Sequence, residues 1–387
     1  MKVLLVDPSL YTPPYDAALM RGLLAIGVQP VLATRPLRAG ERQDIPADCT
    51  DAFFYRRTDR ADGLPPPLRL LLKGCAHIAG TLRLIGKVRR ERPDVVHVLW
   101  LVLPPVDLIA MALIRRWCPV VLTVHDTVAY NGQKLAWPQQ LAHDRSMKLA
   151  HQVIVHTRSG RQRLVRRGLP DARVSVIPHG PLGLPLFAAA ATARDPRWTA
   201  VLFGELKPYK GLDLLIEAVG VLPASCRRQL RVVVAGRPRM DMAPLIARIL
   251  ALGVSEQFEL RLARLSEEQM AALFAEADAF VFPYRQIDAS GVYYLVNSLG
   301  KWLIASRVGI FAEDDISGAG RGALVPPEDV PALGRALQHA IETRPSGRAG
   351  TVHPWSDIAH ATRALYERAM TDFDSRLAGR ARKAWQR

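Results

Sequence analysis

Gly204, Lys207 and Lys210 stand in an order that could grip a diphosphate. Around them, Val201-Leu202-Phe203-Gly204-Glu205-Leu206-Lys207-Pro208-Tyr209-Lys210-Gly211-Leu212-Asp213-Leu214-Leu215-Ile216 reads as an apolar strand, a glycine turn carrying two lysines, and an amphipathic helix. Glycine lets the backbone approach a ligand, the lysines supply mobile positive charge, and the helix start turns its positive dipole end toward the turn. An ordinary strand–turn–helix with solvated lysines fits the same spacing. Later segments tip the balance. Leu230-Arg231-Val232-Val233-Val234-Ala235-Gly236-Arg237 and Ala277-Asp278-Ala279-Phe280-Val281-Phe282-Pro283-Tyr284-Arg285 are further strands ending in polar loops. Asp288-Ala289-Ser290-Gly291-Val292 is a turn running into a helix. Asp288 reads as a ligand-facing loop residue, or as an acid at a helix N-terminus. Arg237 and Arg285, at strand ends, reach a bound ligand or form surface salt bridges.

The elements that must position these residues follow from periodicity. In the first half, strands are expected at 3–6, 31–34, 95–99, 120–124, 152–156 and 174–177. Helices are expected there at 15–26, 78–90, 106–116 and 159–167. After an Ala-rich stretch at 182–197 the pattern restarts, with strands at 199–203, 230–235, 258–262, 279–281 and 303–306. Its helices are expected at 212–221, 244–252, 266–275, 292–299 and 330–339, with Ser266 capping the third. Short all-apolar strands separated by helices predict parallel sheets covered on both faces, with ligands at the strands' carboxyl ends. The fold class is therefore α/β, with two doubly wound Rossmann-like units. The division expected is a first domain at 1–183, a second at 184–353, a helix at 354–370 packing back on the first domain, and a basic tail at 371–387.

Composition removes other classes. At 387 residues the chain exceeds what one core usually supports, so two domains of roughly 150–200 residues are the prior. No apolar run approaches the about 20 residues of a membrane span, and the four scattered cysteines form no CxxC pair, which suits reduced cytosolic thiols. The net charge of +16 is uneven: residues 1–200 hold 28 Lys+Arg against 15 Asp+Glu, and the remainder 24 against 21. The excess is densest in 56–92, a Leu/Ile-rich and acid-poor stretch, and in Arg158, Arg161, Arg163, Arg166 and Arg167. A basic amphipathic helix suits an anionic membrane surface or a lipid diphosphate at about 1 kcal/mol per basic residue, although a helix packed on a sheet with a solvated edge also fits. Nucleic acid is not expected, because recognition motifs and interleaved aromatics are both lacking.

Gly204 to Lys210, Tyr284-Arg285, the 288–292 turn and Gly300-Lys301-Trp302 combine with Asp94-Val95-Val96-His97, Val124-His125-Asp126 and Pro178-His179-Gly180. In order and spacing this resembles the nucleotide-sugar-dependent glycosyltransferases of the GT-B fold, in particular the family-4-like enzymes of bacterial surface polysaccharides, over about residues 1–370. The resemblance implies two domains facing a cleft, with the C-terminal helix crossing back to the first. It implies catalytic roles for His125, Lys210 and Asp288. Donor binding would fall to Gly204, Lys207, Lys210, Gly236, Arg237, Tyr284, Arg285, Asp288, Ala289, Ser290, Gly291 and Val292. Acceptor binding would fall to Tyr11, Tyr15, Asp16, His125 and Asp126. Lys207 and Lys210 would neutralise the diphosphate leaving group, and His125 would lie beside the transferred sugar. For an inverting reaction Asp16, His125 or Asp126 could serve as base. His97, His156 and His179 are expected to be structural or to line the cleft.

Two departures stand out. Many relatives carry a pair of glutamates bracketing the 288–292 turn, and their places fall near Ile287 and Leu295. The usual glycine-rich loop after the first strand is replaced by Ser9-Leu10-Tyr11-Thr12-Pro13-Pro14-Tyr15. The expected function is transfer of a sugar from a UDP- or GDP-sugar to a lipid-linked saccharide, without cofactor or metal, by an enzyme at the cytoplasmic face of the plasma membrane. An epimerase or hydrolase on the same fold, or a non-catalytic nucleotide-sugar-binding protein, are the alternatives.

Overall fold

The structure is a computed structural model that describes residues 1–38, 41, 44–56, 58, 65–127, 137–182 and 195–385. The chain divides into two compact units. The first gathers Met1–Tyr130, Lys134–Gly180 and His353–Arg387, and the second is built from Pro181–Val352.

In the first unit seven strands form one parallel sheet: β1 (Lys2–Val6), β2 (Gln29–Thr34), β3 (Thr50–Ala52), β4 (Val95–Val98), β5 (Val120–Thr123), β6 (Gln152–Val155) and β7 (Val174–Val176). Helices α1 (Pro13–Ala25), α2 (Pro66–Glu91), α3 (Pro104–Ile114), α4 (Trp137–Leu149) and α5 (Arg158–Arg166) connect them. Val3, Leu4, Leu5 and Val6 are all buried, because helices cover both sheet faces and leave no wet side to select alternation. The strand order β3-β2-β1-β4-β5-β6-β7 reverses direction between β1 and β4. Their carboxyl ends therefore diverge into a crevice, the place where such sheets take ligands.

The second unit repeats the plan with β8 (Trp198–Phe203), β9 (Leu230–Ala235), β10 (Phe258–Arg261), β11 (Ala279–Phe282), β12 (Trp302–Ser306) and β13 (Gly322–Val325). Its helices are α6 (Leu212–Gly220), α7 (Ala224–Arg228), α8 (Ala243–Ala251), α9 (Glu267–Glu276), α10 (Gly291–Asn297), α11 (Gly309–Glu313) and α12 (Val330–Thr343). Ser266 caps α9 with a reciprocal capping box through Gln269. The order β10-β9-β8-β11-β12-β13 puts this unit's reversal between β8 and β11, so Gly204 and Pro283 follow the two diverging strands.

The last helix, α13 (Trp355–Trp385), packs on α1, β4 and β5 of the first unit. Tyr366 on it bonds His97 Nδ1 through its hydroxyl at 2.7 Å. The helix continues past Met370, through most of the segment expected to be a polar tail. Elsewhere β3, β13, α4, α7 and α11 had no counterpart in the expectations, and α2 begins at Pro66 rather than near residue 78.

Candidate functional site

In the second unit the Gly204 turn is built around a buried lysine. Lys210 is 6% exposed; its Nζ donates to the Phe203 carbonyl at 2.9 Å and lies 5.6 Å from the centre of the Tyr284 ring. Gly204 has φ +102, and a Cβ there would come within 2.7 Å of Lys210 Nζ, so glycine is required both for the conformation and for the space. Gly236, with φ +144, passes so close that a Cβ would meet the Gly204 carbonyl. Burial first, and then Lys207, pull the Lys210 ammonium down from 10.5 to about 7, against a smaller opposing pull from Glu205. Burial therefore disfavours the charged form of this lysine. An arriving anion would restore its full charge.

Lys207 stands nearer the surface and pairs with Glu205 at 3.3 Å. Glu205 also takes the Arg239 guanidinium at 2.7 Å. The single carboxylate is thus shared by two cations beside the turn, an arrangement that the sequence reading did not include. Neither lysine is the freely solvated side chain of an ordinary turn.

The other donor-side candidates separate. Arg285 spends its guanidinium on both Asp213 oxygens (3.0 and 2.6 Å), on Glu328 (3.0 Å) and on the Pro208 carbonyl (2.8 Å). Arg285 thus forms ion pairs with Asp213 and Glu328. Arg237 is exposed. Tyr284 is buried, and burial raises its hydroxyl while a hydrogen bond to Ser290 opposes the rise. Ser290 also caps α10 by accepting from Tyr293 N at 3.3 Å. Asp288 is buried, and its carbonyl accepts from Ile310 N at 2.9 Å. Ala289, Gly291 and Val292 belong to the same turn, with a Val292 methyl 3.2 Å from where a Gly204 Cβ would stand. Ile287 and Leu295, at the places of the family glutamates, are buried in an apolar cluster with Phe282, Tyr293 and Phe311. An acid there would have to displace core.

In the first unit the candidates form an aromatic cage at the end of β5. The His125 ring stacks on Trp100 at 4.3 Å with the planes 10° apart, and Tyr15 meets it edge-on at 5.1 Å. Tyr15 also contacts His156, His179 and Trp355. His125 Nδ1 lies 3.0 Å from His156 Nε2, and His156 Nδ1 lies 3.0 Å from the Ile177 carbonyl. Burial, reinforced by the neighbouring histidines, holds His125 well below its ordinary value and takes His97 and His179 to about 3. Desolvation disfavours the imidazolium form of all three rings. Among the described residues no three His, Cys, Asp or Glu side chains converge on a common point suited to a metal ion.

Asp126 is half-buried beside His125. Tyr11 is 53% exposed and packs on Trp100 at 5.2 Å. Asp16 is fully buried and faces Asp7. Among the described residues no N–H reaches the Asp16 oxygens, whereas Asp7 accepts from Ser9 N and Tyr11 N. The two carboxyls can bond only if one holds a proton. The backbone donors favour charge on Asp7, and burial, then Asp7, raise Asp16 well above the ordinary carboxyl value. Its carboxyl is fully buried. Beyond β1 and β2, a cavity of about 240 Å³ is lined by Leu10, Thr34, Arg35 and Ile45 among others. Thr34 Oγ1, buried on that wall, has no hydrogen-bond partner among the described residues.

Residues 17–180 match the family model described as Glycosyltransferase Family 4, and residues 197–343 match the one described as Glycosyl transferases group 1. The chain belongs to the family-4-like glycosyltransferases. As such an enzyme it has the two Rossmann-like units of the GT-B fold, and solved structures align along its length. HepE of Anabaena in complex with UDP and glucose is 18% identical, with a TM-score of 0.65 over 99% of this chain and 100% of that one. Sucrose-phosphate synthase from Thermosynechococcus elongatus is 16% identical, with a TM-score of 0.65 over 100% and 99%. UDP-GlcNAc 2-epimerase from Neisseria meningitidis bound to UDP-GlcNAc is 14% identical, with a TM-score of 0.58 over 96% and 100%. Among curated protein sequences none matches the chain. This glycosyltransferase carries, beyond the residues expected from sequence, Glu205, Arg239, Trp100 and Asp7 in its two candidate regions. The polar end of each strand was legible, but the partners that hold those ends were not.

Proposed function

We propose that this glycosyltransferase moves a sugar from a UDP- or GDP-sugar to a lipid-linked saccharide during synthesis of a bacterial surface or exported polysaccharide, working at the cytoplasmic face of an anionic membrane. The observation that carries the donor assignment is Lys210. A desolvated ammonium beneath a glycine turn, at the reversal point of the second sheet, is costly unless an anion uses it. Lys207 and Arg239, tethered by Glu205, add charge that can swing onto phosphate oxygens. As the glycosidic bond breaks, negative charge grows on the leaving diphosphate and the attraction of these cations grows with it. HepE and the epimerase, whose structures hold UDP and UDP-GlcNAc, are consistent with a uridine donor.

The membrane assignment rests on α2. Leu68, Leu71, Leu72, Ile78 and Leu82 are exposed and recur at helical spacing, so they form an apolar stripe about 20 Å long. Arg69, Lys73, Arg83 and Arg89 lie along the same helix. Among the described residues no helix is long and apolar enough to cross a bilayer. An apolar stripe with basic flanks suits a helix lying in the interface, where anionic headgroups meet the arginines and acyl chains meet the leucines.

The test is a donor panel assayed with and without a polyprenyl-diphosphate saccharide fraction. The reading expects sugar incorporation into lipid from one UDP- or GDP-sugar, dependent on the acceptor. Turnover of the donor with no acceptor present would replace it with an epimerase or hydrolase.

A further inference from the structure

The cage in the first unit contains a chain of hydrogen bonds whose direction is fixed at one end. The Ile177 carbonyl can only accept, so His156 must donate to it from Nδ1 at 3.0 Å. A neutral imidazole has one N–H and one lone pair. In its neutral form His156 therefore accepts at Nε2, and the proton in its 3.0 Å bond with His125 belongs to His125 Nδ1. With its proton on Nδ1, neutral His125 presents a bare lone pair at Nε2. That atom is buried and has no hydrogen-bond partner among the described residues. A buried acceptor left unsatisfied costs about 1–3 kcal/mol, a cost that a ligand donor would remove.

We propose that His156 is a positioning residue: anchored by the Ile177 carbonyl, it locks His125 in the Nδ1–H tautomer, so that His125 Nε2 can only accept a hydrogen bond from a ligand hydroxyl. The Trp100 ring stacked on His125 at 4.3 Å and the edge of Tyr15 fix the plane of the imidazole, and His156 fixes its polarity. A ligand oxygen that brings no proton, such as a phosphate or carboxylate oxygen, is refused at Nε2. A sugar hydroxyl is accepted and held with its own oxygen lone pairs turned outward. This proposal rests on the sugar-transfer reading for the identity of the hydroxyl, but the tautomer itself does not depend on that reading.

The experiment uses the full chain labelled with 15N in its histidines, and reads ring protonation from two-bond 1H–15N correlations near neutral pH, with His125→Ala assigning the resonance. The wild type is expected to show His125 protonated at Nδ1. His156→Gln, whose amide can donate to Ile177 and accept from His125, is expected to keep that state and to leave kcat/KM within about threefold. His156→Leu, which can do neither, is expected to release the tautomer and to lower kcat at least tenfold with a smaller change in KM. A wild-type His125 protonated at Nε2 overturns the proposal, as does a His156→Leu variant with an unchanged tautomer or unchanged kcat. The wild-type spectrum needs no variant to fold. If the tautomer is as stated but no nucleotide sugar is consumed, the failure lies with the donor reading and not with the lock.

Discussion

Replacing Lys210 with methionine should separate the two things that this side chain does. Methionine is unbranched and of similar length, so it can fill the space between the Phe203 carbonyl and the Tyr284 ring without the charge. The fall in Lys210 proton affinity from 10.5 to about 7 corresponds to roughly 5 kcal/mol of disfavoured charge at pH values below 7. Against that gain stand the lost bond to Phe203, about 1–3 kcal/mol, and the lost ring contact, about 1–2 kcal/mol. The ligand-free variant should therefore be at least as stable as the wild type at pH 6, by up to about 3 kcal/mol, or a few degrees of Tm. The advantage should shrink as pH rises toward 10. Between about 7 and 10.5 the unfolded lysine holds a proton that the folded one has released, so the wild type gains stability with pH across that window. Activity should move the other way: removing one preorganised charge from the leaving group costs about 2.7–4 kcal/mol, a drop of 10²- to 10³-fold in kcat/KM. Thermal melts at pH 6 and pH 9 and initial rates on the productive donor test both halves. A kcat/KM within threefold of wild type, or a variant several degrees less stable at pH 6, refutes the reasoning.

Other outcomes follow from the same structure. Gly204→Ala should lose about 1–3 kcal/mol of stability from the φ of +102 and should abolish the rise in Tm that UDP or GDP gives the wild type; an unchanged nucleotide shift would remove the turn from the donor site. Asp16→Asn supplies Asp7 with a permanent donor. The wild-type contribution of the raised Asp16 is complete below pH 3.8 and is lost as pH rises through the folded value, so the variant should lose less stability between pH 4 and pH 8 than the wild type does. Parallel melting curves across that range would count against the shared proton. Changing Leu71, Ile78 and Leu82 together to Gln should weaken flotation with anionic liposomes at least tenfold and leave Tm nearly unchanged, since all three are exposed; flotation equal to wild type would dissociate α2 from the bilayer.

The sheets were legible because their strands are buried on both faces and read as short apolar runs, as in Val3-Leu4-Leu5-Val6 and Leu230 through Ala235. Strand β3 was not legible: Thr50, Asp51 and Ala52 lie at the sheet's edge, half-buried, and need no apolar run. The start of α2 was hidden for the opposite reason. Its leucines face outward, so the stripe that marks a packed helix is doubled and blurred. At the candidate site the sequence indicated Gly204 and Lys210 through spacing, because a glycine turn followed by lysine constrains backbone and charge together. It could not indicate that Arg285 would be consumed by Asp213, or that Asp7 and Asp16 would share a proton. Those depend on which side chains meet across the fold, and periodicity carries no such information.

The first unit is stitched from both termini. Tyr366 bonds His97 across 269 positions of sequence, and Trp355 lies so close over Gly180 that a single added methyl there would strike its indole. The first unit's sheet therefore lacks one wall until α13 is in place. The 181–352 segment holds a complete sheet of its own. A chain cut before Trp355 would keep the second sheet whole beside a first unit missing that wall.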